Sequence, residues 1–413
     1  MQKKIMILGG GQAQIGLIKK AKELGLYTIV VGIEGDYPGY EYADKVYHID
    51  INQKREVLEV AQKERIDGIS MVCSDFGLKT VGYVCDNMGL SGLSELSAVS
   101  SANKLHMKTL LRDNNVNTAR FLVVRNQDDL VQAERILPFP MIMKAVDLQG
   151  SKGIYVCKSK KDLLDSYIKI TSLTKEDYCI VEEFIDGTEF GAQAYIYDNE
   201  LFFIQIHGDL VTKIGQTNIP IGHYMPYDEE NETLEDRIKD VIRRSIKALK
   251  LNNCAVNVDL ILRDGVPYII ELTGRAGANF LPEVTSKYLG LDYYTLIIYG
   301  ALNENPKDYF LSRKPTVKFV LSKQLYSLKS GIVESINVPQ SSNIEICQIF
   351  VKEGQHVNEF SNSSDCIGKV MCGGKNFEDC NTKIDDFINK ELSLTIKSGQ
   401  PHQNFALSSI SVR

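Results

Sequence analysis

The sequence lacks the features that would point to a membrane or to a nucleic acid. Its 413 residues contain no apolar run near the roughly 18 residues that a membrane-spanning helix needs, and no long run of Lys or Arg. The formal net charge of −6 also gives no basic footprint for nucleic acid. A strand-like apolar run begins at Ile5, which leaves no room for a signal peptide before it. We therefore expect a cytoplasmic protein with no membrane and no nucleic-acid partner.

Closely spaced cysteine and histidine motifs are also missing. The nine cysteines include no Cys-x-x-Cys pair, and the six histidines include no His-x-x-x-His pair. An odd number of cysteines cannot all pair within one chain, so reduced thiols are the simplest interpretation. A zinc site built from residues close in sequence is not expected.

The residues that are present, 44% hydrophobic and 24% charged, are typical of a globular chain with two or three domains. Strand-like and helix-like patterns alternate over residues 1–95, which indicates a parallel α/β sheet. One helical pattern runs from Ser97 through Leu111, residues 138–194 favour a mixed α+β unit, and short β-type runs follow Asn305. The predicted fold class is therefore α/β and α+β.

A glycine turn, Gly9-Gly10-Gly11, follows the first apolar run and precedes a helical pattern. Such turns often hold a dinucleotide phosphate at a helix N-terminus. The dinucleotide fingerprint, however, requires glycine at its first, third and sixth places, and the sixth place here is Gln14. We do not expect NAD at this turn. A structural turn and a turn that holds an anion or a small substrate both remain open.

A second glycine turn follows a strand-like run that ends in a lysine. The run from Pro140 to Lys144 precedes Gln149-Gly150-Ser151-Lys152-Gly153. A lysine and backbone N–H groups in this order suit a triphosphate, although the spacing is not that of a P-loop. A lysine on the solvent face of a strand is the alternative interpretation.

Two further segments carry acids within or beside apolar runs. The run from Tyr178 to Phe190 suits an adenosine pocket, in which extended backbone pairs with the adenine edge and a carboxylate accepts the ribose hydroxyls; an exposed acidic turn is the alternative. Asp259 and Glu271 each lie inside a strand-like run, where an unpaired carboxylate is costly.

The Asp-Gly turn between those two runs predicts a hairpin with both acids on one face, within reach of a shared Mg²⁺. Arg275 follows closely and would stabilise charge on a transferred phosphoryl group. A buried network of ion pairs is the alternative.

The order of these parts resembles the ATP-grasp superfamily of carboxylate–amine ligases over nearly the whole chain. The resemblance implies an N-terminal parallel α/β (pre-ATP-grasp) domain at residues 1–95 and an ATP-grasp domain at 96–305 with a lid subdomain at about 118–186. A β-rich C-terminal domain would cover residues 306–413. Two short segments near the end, 329–336 and 351–357, resemble the C-terminal domain of bacterial L-amino-acid ligases.

The resemblance also assigns residues. Lys104 and Lys144 would reach the phosphates of ATP, Glu189 the ribose, and Arg275 the acyl-phosphate, with Lys144 and Arg275 as the catalytic residues. The full set implied for ATP is Lys104, Lys144, Gly150, Ser151, Gly153, Glu182, Phe184 and Glu189. The set implied for Mg²⁺ (or Mn²⁺) is Asp259, Glu271 and Thr273, where Thr273 stands in a place that the family often gives to Asn.

The activity implied by the resemblance is ATP-dependent joining of a carboxylate, expected to be an amino acid, to an amine, with release of ADP and phosphate. The partners are then small-molecule acids and amines, and a homodimer is compatible with the family. An ATP-grasp carboxylase, a ligase that loads a carrier protein, and a non-catalytic nucleotide-binding protein are the alternatives. The chain offers no local Ser/His/Asp or Cys/His motif, which agrees with a mechanism that needs no side-chain nucleophile.

Overall fold

The computed structural model describes residues 2–148, 152–214, 217–227 and 232–397. The chain folds into two compact units. The first unit comprises Met1–Ile204, Asp228–Gly277 and Tyr294–Asp308, and the second comprises Gln205–Tyr227, Ala278–Tyr293 and Tyr309–Arg413. The division into three domains stays a prediction.

The strands, in chain order, are β1 Lys4–Leu8, β2 Tyr27–Gly32, β3 Lys45–His48, β4 Gly68–Ser70, β5 Phe121–Val124, β6 Met141–Lys144, β7 Ile154–Cys157, β8 Cys179–Glu183, β9 Thr188–Tyr197, β10 Glu200–Ile214, β11 Thr217–Met225, β12 Cys254–Arg263, β13 Val266–Thr273, β14 Phe319–Tyr326, β15 Gly331–Asn337, β16 Ile346–Ile349, β17 His356–Val357, β18 Cys366–Gly374 and β19 Ser393–Lys397. The helices are α1 Ile15–Glu23, α2 Lys54–Glu64, α3 Leu78–Met88, α4 Glu95–Ala102, α5 Lys104–Asp113, α6 Gln127–Ile136, α7 Lys160–Thr171, α8 Glu232–Ala248, α9 Leu281–Leu289, α10 Tyr293–Ala301, α11 Lys307–Leu311 and α12 Phe377–Asp386.

The first unit begins with a four-stranded sheet in the order β3-β2-β1-β4. Its strands pair in parallel, which confirms the parallel sheet predicted for this region. Residues Ile5 to Leu8 of β1 are fully buried, because a parallel sheet has both faces covered. None of the helices among the described residues has both the length and the apolar character to cross a bilayer.

The helical pattern predicted from Ser97 to Leu111 is helical in the structure except at Asn103, which separates α4 from α5. Asn103 has extended backbone angles, and its Oδ1 accepts hydrogen bonds from the backbone N–H groups of Leu105 and His106 at 3.0 and 3.2 Å. This is an N-cap, and it makes Lys104 the first residue of α5.

Two antiparallel sheets follow in the first unit. Strands β5-β8-β6-β7 form one sheet, and helices α6 and α7 cover it around a core that includes Met141, Met143 and Val181. In the other, β12 pairs with β9 on one side and with β13 on the other. These two sheets hold the side chains described in the next section.

In the second unit, β10, β11, β14, β18 and β16 pair with their neighbours in that order, all antiparallel. One face of this sheet packs against α12 in a core that includes Leu321, Val370 and Ile384. The other face packs against α9 through Met225, Val320 and Met371. Strands β17-β15-β19 form a separate small sheet.

Candidate active site

Two carboxylates meet across the hairpin of β12 and β13. Asp259 and Glu271 are direct cross-strand partners. The turn that joins the strands contains Asp264 and Gly265, both in the left-handed region with φ of 52° and 71°, as the two-residue turn of a hairpin requires. A β-bulge between Asp259 and Leu260 shifts the register by one residue, so that Glu271 and not Ile270 lies opposite Asp259. The hairpin and its bulge together bring both acids to one face of the sheet, which is the arrangement predicted from the sequence.

Like charges directly opposite each other destabilise a sheet, so this pair calls for a cation. The ammonium group of Lys104 lies 3.3 Å from Oε1 of Glu271. Burial raises the pKa of Glu271, but the charges of Lys104, Lys144 and Arg275 outweigh it and hold that pKa below its usual value. Glu271 is therefore ionised and available as an oxygen ligand.

Thr273 extends the same set of oxygen donors. It lies two residues after Glu271 on β13, hence on the same face, and it pairs with Asn257. Its hydroxyl oxygen is buried and has no hydrogen-bond partner among the described residues. Two carboxylates and an orphaned hydroxyl are hard oxygen donors of the kind that Mg²⁺ prefers. The residues present thus fit a magnesium ion.

The guanidinium group of Arg275 is fixed by Asp75. Its Nε donates to Oδ1 of Asp75 at 2.6 Å, and its Nη1 donates to the carbonyl of Ala276 at 3.3 Å. Burial lowers the pKa of Arg275, but Asp75 more than compensates, so the guanidinium group stays charged.

Asp75 lies in the loop that follows β4, and Cys73 of that loop is hydrogen-bonded to the loop after β13. The N–H of Cys73 donates to the carbonyl of Ala276 at 3.1 Å, and the Cys73 thiol donates to the carbonyl of Gly277 at 3.1 Å. Cys73 has a left-handed backbone with φ of 61°, which is strained for this residue type. These contacts join the N-terminal sheet to the loop after β13 and aim the arginine.

Lys144 ends β6, and the structure buries it instead of placing it on a solvent face. Its ammonium group lies 3.0 Å from Oε2 of Glu182, and the ammonium group of Lys108 lies 3.2 Å from the same oxygen. Lys108 also donates to the hydroxyl of Thr118 at 2.9 Å. A single carboxylate therefore holds two buried lysines.

Sequence reasoning missed Lys108. It lies one helical turn after Lys104 on α5, on the same face of the helix, and that spacing is the signal that would have found it. Burial lowers the pKa of Lys108 to about 8, although Glu182 opposes the shift.

The lowered pKa of Lys108 predicts a pH dependence of stability. In the unfolded chain the lysine binds its proton up to its ordinary pKa of 10.5, so between about pH 8 and pH 10 the unfolded state binds more protons than the folded state. The free energy of unfolding of the unmodified protein, minus that of Lys108→Met, should therefore rise with pH by up to about 1.4 kcal/mol per pH unit. Urea unfolding of both proteins at pH 8, 9 and 10 measures the difference.

The matched control is Lys79→Met, at an exposed position on α3, which should show a constant difference over the same range. A constant difference for Lys108→Met as well would contradict the lowered pKa.

Lys104 is held on both sides. Besides its contact with Glu271, its ammonium group donates to the carbonyl of Leu148 at 2.7 Å.

Gly153, on the far side of the predicted phosphate turn, accepts a hydrogen bond from the N–H of Ala145 at 2.9 Å. Gly150 and Ser151 of that turn lie outside the described residues.

The predicted adenosine residues lie at the end of β8 and the start of β9. The carboxylate of Glu182 is occupied by the two lysines, and its backbone pairs with Phe121 and Ile142 inside the sheet. Half-buried Phe184 lies one residue beyond the end of β8, and Glu189 is exposed near the start of β9. A nucleotide-binding role for Phe184 and Glu189 stays a prediction, whereas the carboxylate of Glu182 contacts Lys108 and Lys144.

The opening glycine turn has a packing role. The ring of Tyr40 covers Gly10 so closely that a Cβ atom there would overlap it, and Gly39 donates a backbone hydrogen bond to the carbonyl of Gly10 at 2.8 Å. Gln14 is buried and donates from its side chain to the carbonyl of Val72 at 2.9 Å. The glutamine that departs from the dinucleotide fingerprint thus ties this turn to the segment after β4.

Comparison with known proteins gives matches that include the residues above. A family model described as an ATP-grasp domain matches residues 101–279, a range that contains both Lys104 and Arg275. Among solved structures, the chain is similar to a phosphoribosylglycinamide synthetase of Anaerococcus prevotii, with 39% identity, a TM-score of 0.83, and coverage of 96% of this chain and 100% of that chain.

Two further matches are more distant. An L-amino acid ligase of Bacillus licheniformis superposes with a TM-score of 0.81 at 20% identity, and the match covers 96% of this chain and 99% of that one. The large chain of carbamoyl phosphate synthase of Pseudothermotoga lettingae is 26% identical over 309 residues, which are 70% of this chain and 27% of that protein. This chain therefore spans about a quarter of the length of that relative.

Proposed function

The chain belongs to the ATP-grasp family of ADP-forming carboxylate–amine ligases, and from this premise we propose that it joins an amino acid, through its carboxylate, to an amine. The resemblance and the fold class predicted from the sequence are confirmed by the family match and by the Anaerococcus prevotii structure. ATP and Mg²⁺ are the cofactors of the family, so they are the cofactors of this chain.

The observation that carries the proposal is the cross-strand pair Asp259 and Glu271, surrounded by lysines and an arginine. The site contains four cationic and four anionic side chains, so their formal charges sum to zero. A Mg²⁺ ion at the carboxylate pair would add two positive charges, which a polyphosphate would offset. These eight side chains are Lys104, Lys108, Lys144, Arg275, Asp75, Asp259, Glu182 and Glu271.

In this proposal each residue has a defined role. Asp259, Glu271 and Thr273 hold the metal ion, which when bound neutralises phosphate charge. Lys144 and Lys104 bind phosphate oxygens, and Arg275 lies against the acyl-phosphate formed from the carboxylate. The amine then displaces phosphate to give the amide. Catalysis consists of positioning and charge neutralisation, and no covalent enzyme intermediate is required.

A screen of phosphate release over pairs of amino acids, with product masses read by mass spectrometry, tests the proposal. We expect release that depends on ATP, on Mg²⁺ and on both members of a pair, with a product mass equal to the sum of the two minus water. Release that requires bicarbonate or a carrier protein would indicate the carboxylase or the carrier-loading alternative. Binding of ATP and Mg²⁺ with no ADP from any acid would contradict an enzyme.

A second candidate substrate pair follows from the Anaerococcus prevotii relative. Its name describes the joining of glycine to a phosphorylated amino sugar, and it is 39% identical over nearly the full length of this chain. The screen therefore includes glycine with phosphoribosylamine.

A homodimer is part of our proposal, and light scattering of the purified protein measures its mass directly.

A further inference from the structure

A cluster of ionisable side chains lies in the second unit, outside the site described above. His207 and Asp209 are two residues apart on β10, so both point to the same face of the sheet. His223 on β11 is the direct cross-strand partner of Asp209. This face is the one that packs against α9, because Met225 and Val320 on it belong to the α9 core. His223 is 14 positions from Asp209 in sequence, and the register between β10 and β11 brings it opposite.

Asp209 orients both imidazole rings. The Nδ1 atoms of His207 and His223 lie 3.0 and 2.6 Å from the same oxygen, Oδ1 of Asp209. Burial raises the pKa of Asp209, but the two histidines outweigh it and hold that pKa well below the usual range. An ionised carboxylate only accepts hydrogen bonds, so both rings must donate their Nδ1–H. On a neutral ring, the Nε2 atom is then a bare acceptor.

Both of these acceptors are buried without a partner. Nε2 of His207 and Nε2 of His223 have no hydrogen-bond partner among the described residues, and the side chains are only 1% and 6% exposed. Gln324 of β14 lies on the same face of the sheet, and its Oε1 also has no hydrogen-bond partner among the described residues. Its Nε2 donates to the carbonyl of Pro220 at 3.2 Å. A buried acceptor that lacks a donor destabilises the fold, so three together point to a ligand that donates hydrogen bonds.

A cation lies near this group of acceptors. Lys369 on β18 is paired with Gln324 across the sheet, and its charge lowers the pKa of His223 in addition to the larger effect of burial. Its ammonium group lies 3.4 Å from Oδ1 of Asn279 and 5.2 Å from the centre of the Phe280 ring. None of these contacts is with a carboxylate, so the lysine charge can pair with an anionic group of a ligand.

We propose, on the basis of the proposed ligase function, that the second unit binds the amine substrate here, with its amino group on Nε2 of His207 and His223. The substrate class is a primary amine that also carries an anionic group for Lys369. An amino acid carboxylate and a sugar phosphate supply the same chemistry, and the experiment distinguishes them. Asp209 is a positioning residue, because it acts on the ligand through the two imidazoles.

A metal ion is the rival occupant, since the three side chains offer donor atoms within 4.8 Å of one another. A histidine that binds a metal through one ring nitrogen usually donates the N–H of the other to a second partner. Binding at the Nδ1 atoms would leave both Nε2–H groups buried without an acceptor among the described residues. A metal at Nδ1 therefore leaves these atoms orphaned, whereas an amine or a metal at the two Nε2 atoms would satisfy them, and the metal analysis below distinguishes these two occupants.

The test uses His207→Gln, His223→Gln and Asp209→Asn in the full-length enzyme, with the acid and amine that give the highest phosphate release. We expect the KM for the amine to rise about 10- to 100-fold in each, which corresponds to the loss of a hydrogen bond to a charged group. Hydroxylamine, a small and largely uncharged nucleophile near neutral pH, then replaces the amine and traps the acyl-phosphate as a hydroxamate. Hydroxamate formation should be unchanged, because it does not use the amine site.

Control experiments distinguish failure of the amine site from failure of the ligase function, and a carboxylate from a phosphate as the anionic group of the substrate. His356→Gln, at an exposed histidine of the same unit, should leave the KM unchanged, and thermal unfolding checks that each variant folds. Lys369→Met should raise the KM for glycine or for phosphoribosylamine, whichever is the substrate, but not the KM for methylamine. An unchanged amine KM in both histidine variants would overturn the amine site, as would a stoichiometric metal that is lost in His207→Gln. If the unmodified protein forms no hydroxamate with any acid, the ligase function fails and the amine site fails with it.

Discussion

Replacing Glu271 with Gln is expected to lower Mg²⁺-dependent ADP formation by about a thousandfold, equivalent to about 4 kcal/mol of transition-state stabilisation. Gln keeps the size of the side chain and one oxygen donor but removes the negative charge that faces Asp259 across the hairpin. A neutral amide holds a divalent cation weakly, and phosphoryl transfer depends on that cation for charge neutralisation. Steady-state ADP release at several Mg²⁺ concentrations measures the effect, and the requirement for Mg²⁺ should move to higher concentration.

The matched control for this variant is Glu59→Gln on α2, an exposed glutamate that should leave ADP release unchanged. Thermal unfolding shows whether the Glu271 variant is folded. Retention of metal-dependent turnover in a folded Glu271→Gln protein would remove Glu271 from the metal site.

Replacing Arg275 with Lys is expected to slow amide formation by about 100- to 1,000-fold, while the KM for ATP changes little. Lysine keeps the positive charge but lacks the planar fork, and it has no Nε to donate to Asp75 as Arg275 does at 2.6 Å. The charge would then be free to move away from the acyl group. Comparing kcat with the KM for ATP and for the acid shows which step has lost stabilisation.

Arg243→Lys, at an exposed position on α8, is the control for that substitution and should behave as the unmodified enzyme. A variant at Arg275 that raised only the KM for ATP would place this arginine on the nucleotide and not on the acyl group. Full activity in Arg275→Lys would exclude a role that depends on the guanidinium shape.

The hairpin of β12 and β13 shows how far local sequence signals extend. Asp264 and Gly265 predict a two-residue turn, and this turn sets the register of the residues next to it. That register, continued from Leu260 and Ile269, would place Ile270 opposite Asp259; the bulge between Asp259 and Leu260 brings Glu271 there instead, and no local sequence signal predicts that bulge. The parallel sheet at the N-terminus was readable from its alternating strand and helix patterns.

Interactions that depend on tertiary structure could not be read in the same way. The contact of Lys108 with Glu182 joins residues 74 positions apart on different elements. The Asp209 cluster depends on the register between two long strands, one of which carries a bulge between Leu210 and Val211. The break at Asn103 was missed because its capping hydrogen bonds compete with an uninterrupted apolar periodicity. In each case a partner distant in sequence, or a local alternative to the helix, decided the outcome.

The contact between Gly10 and Tyr40 couples two positions that a motif search treats separately. The Tyr40 ring is held over the turn by a hydrogen bond from its hydroxyl to the carbonyl of Ile33 at 2.6 Å and by edge contacts with Tyr37 and His48. Whether position 10 tolerates alanine therefore depends on the aromatic residue thirty positions later, and the two should covary in evolution. Gly10 is therefore explained by its aromatic neighbour, and a nucleotide search based on glycine spacing would misinterpret it.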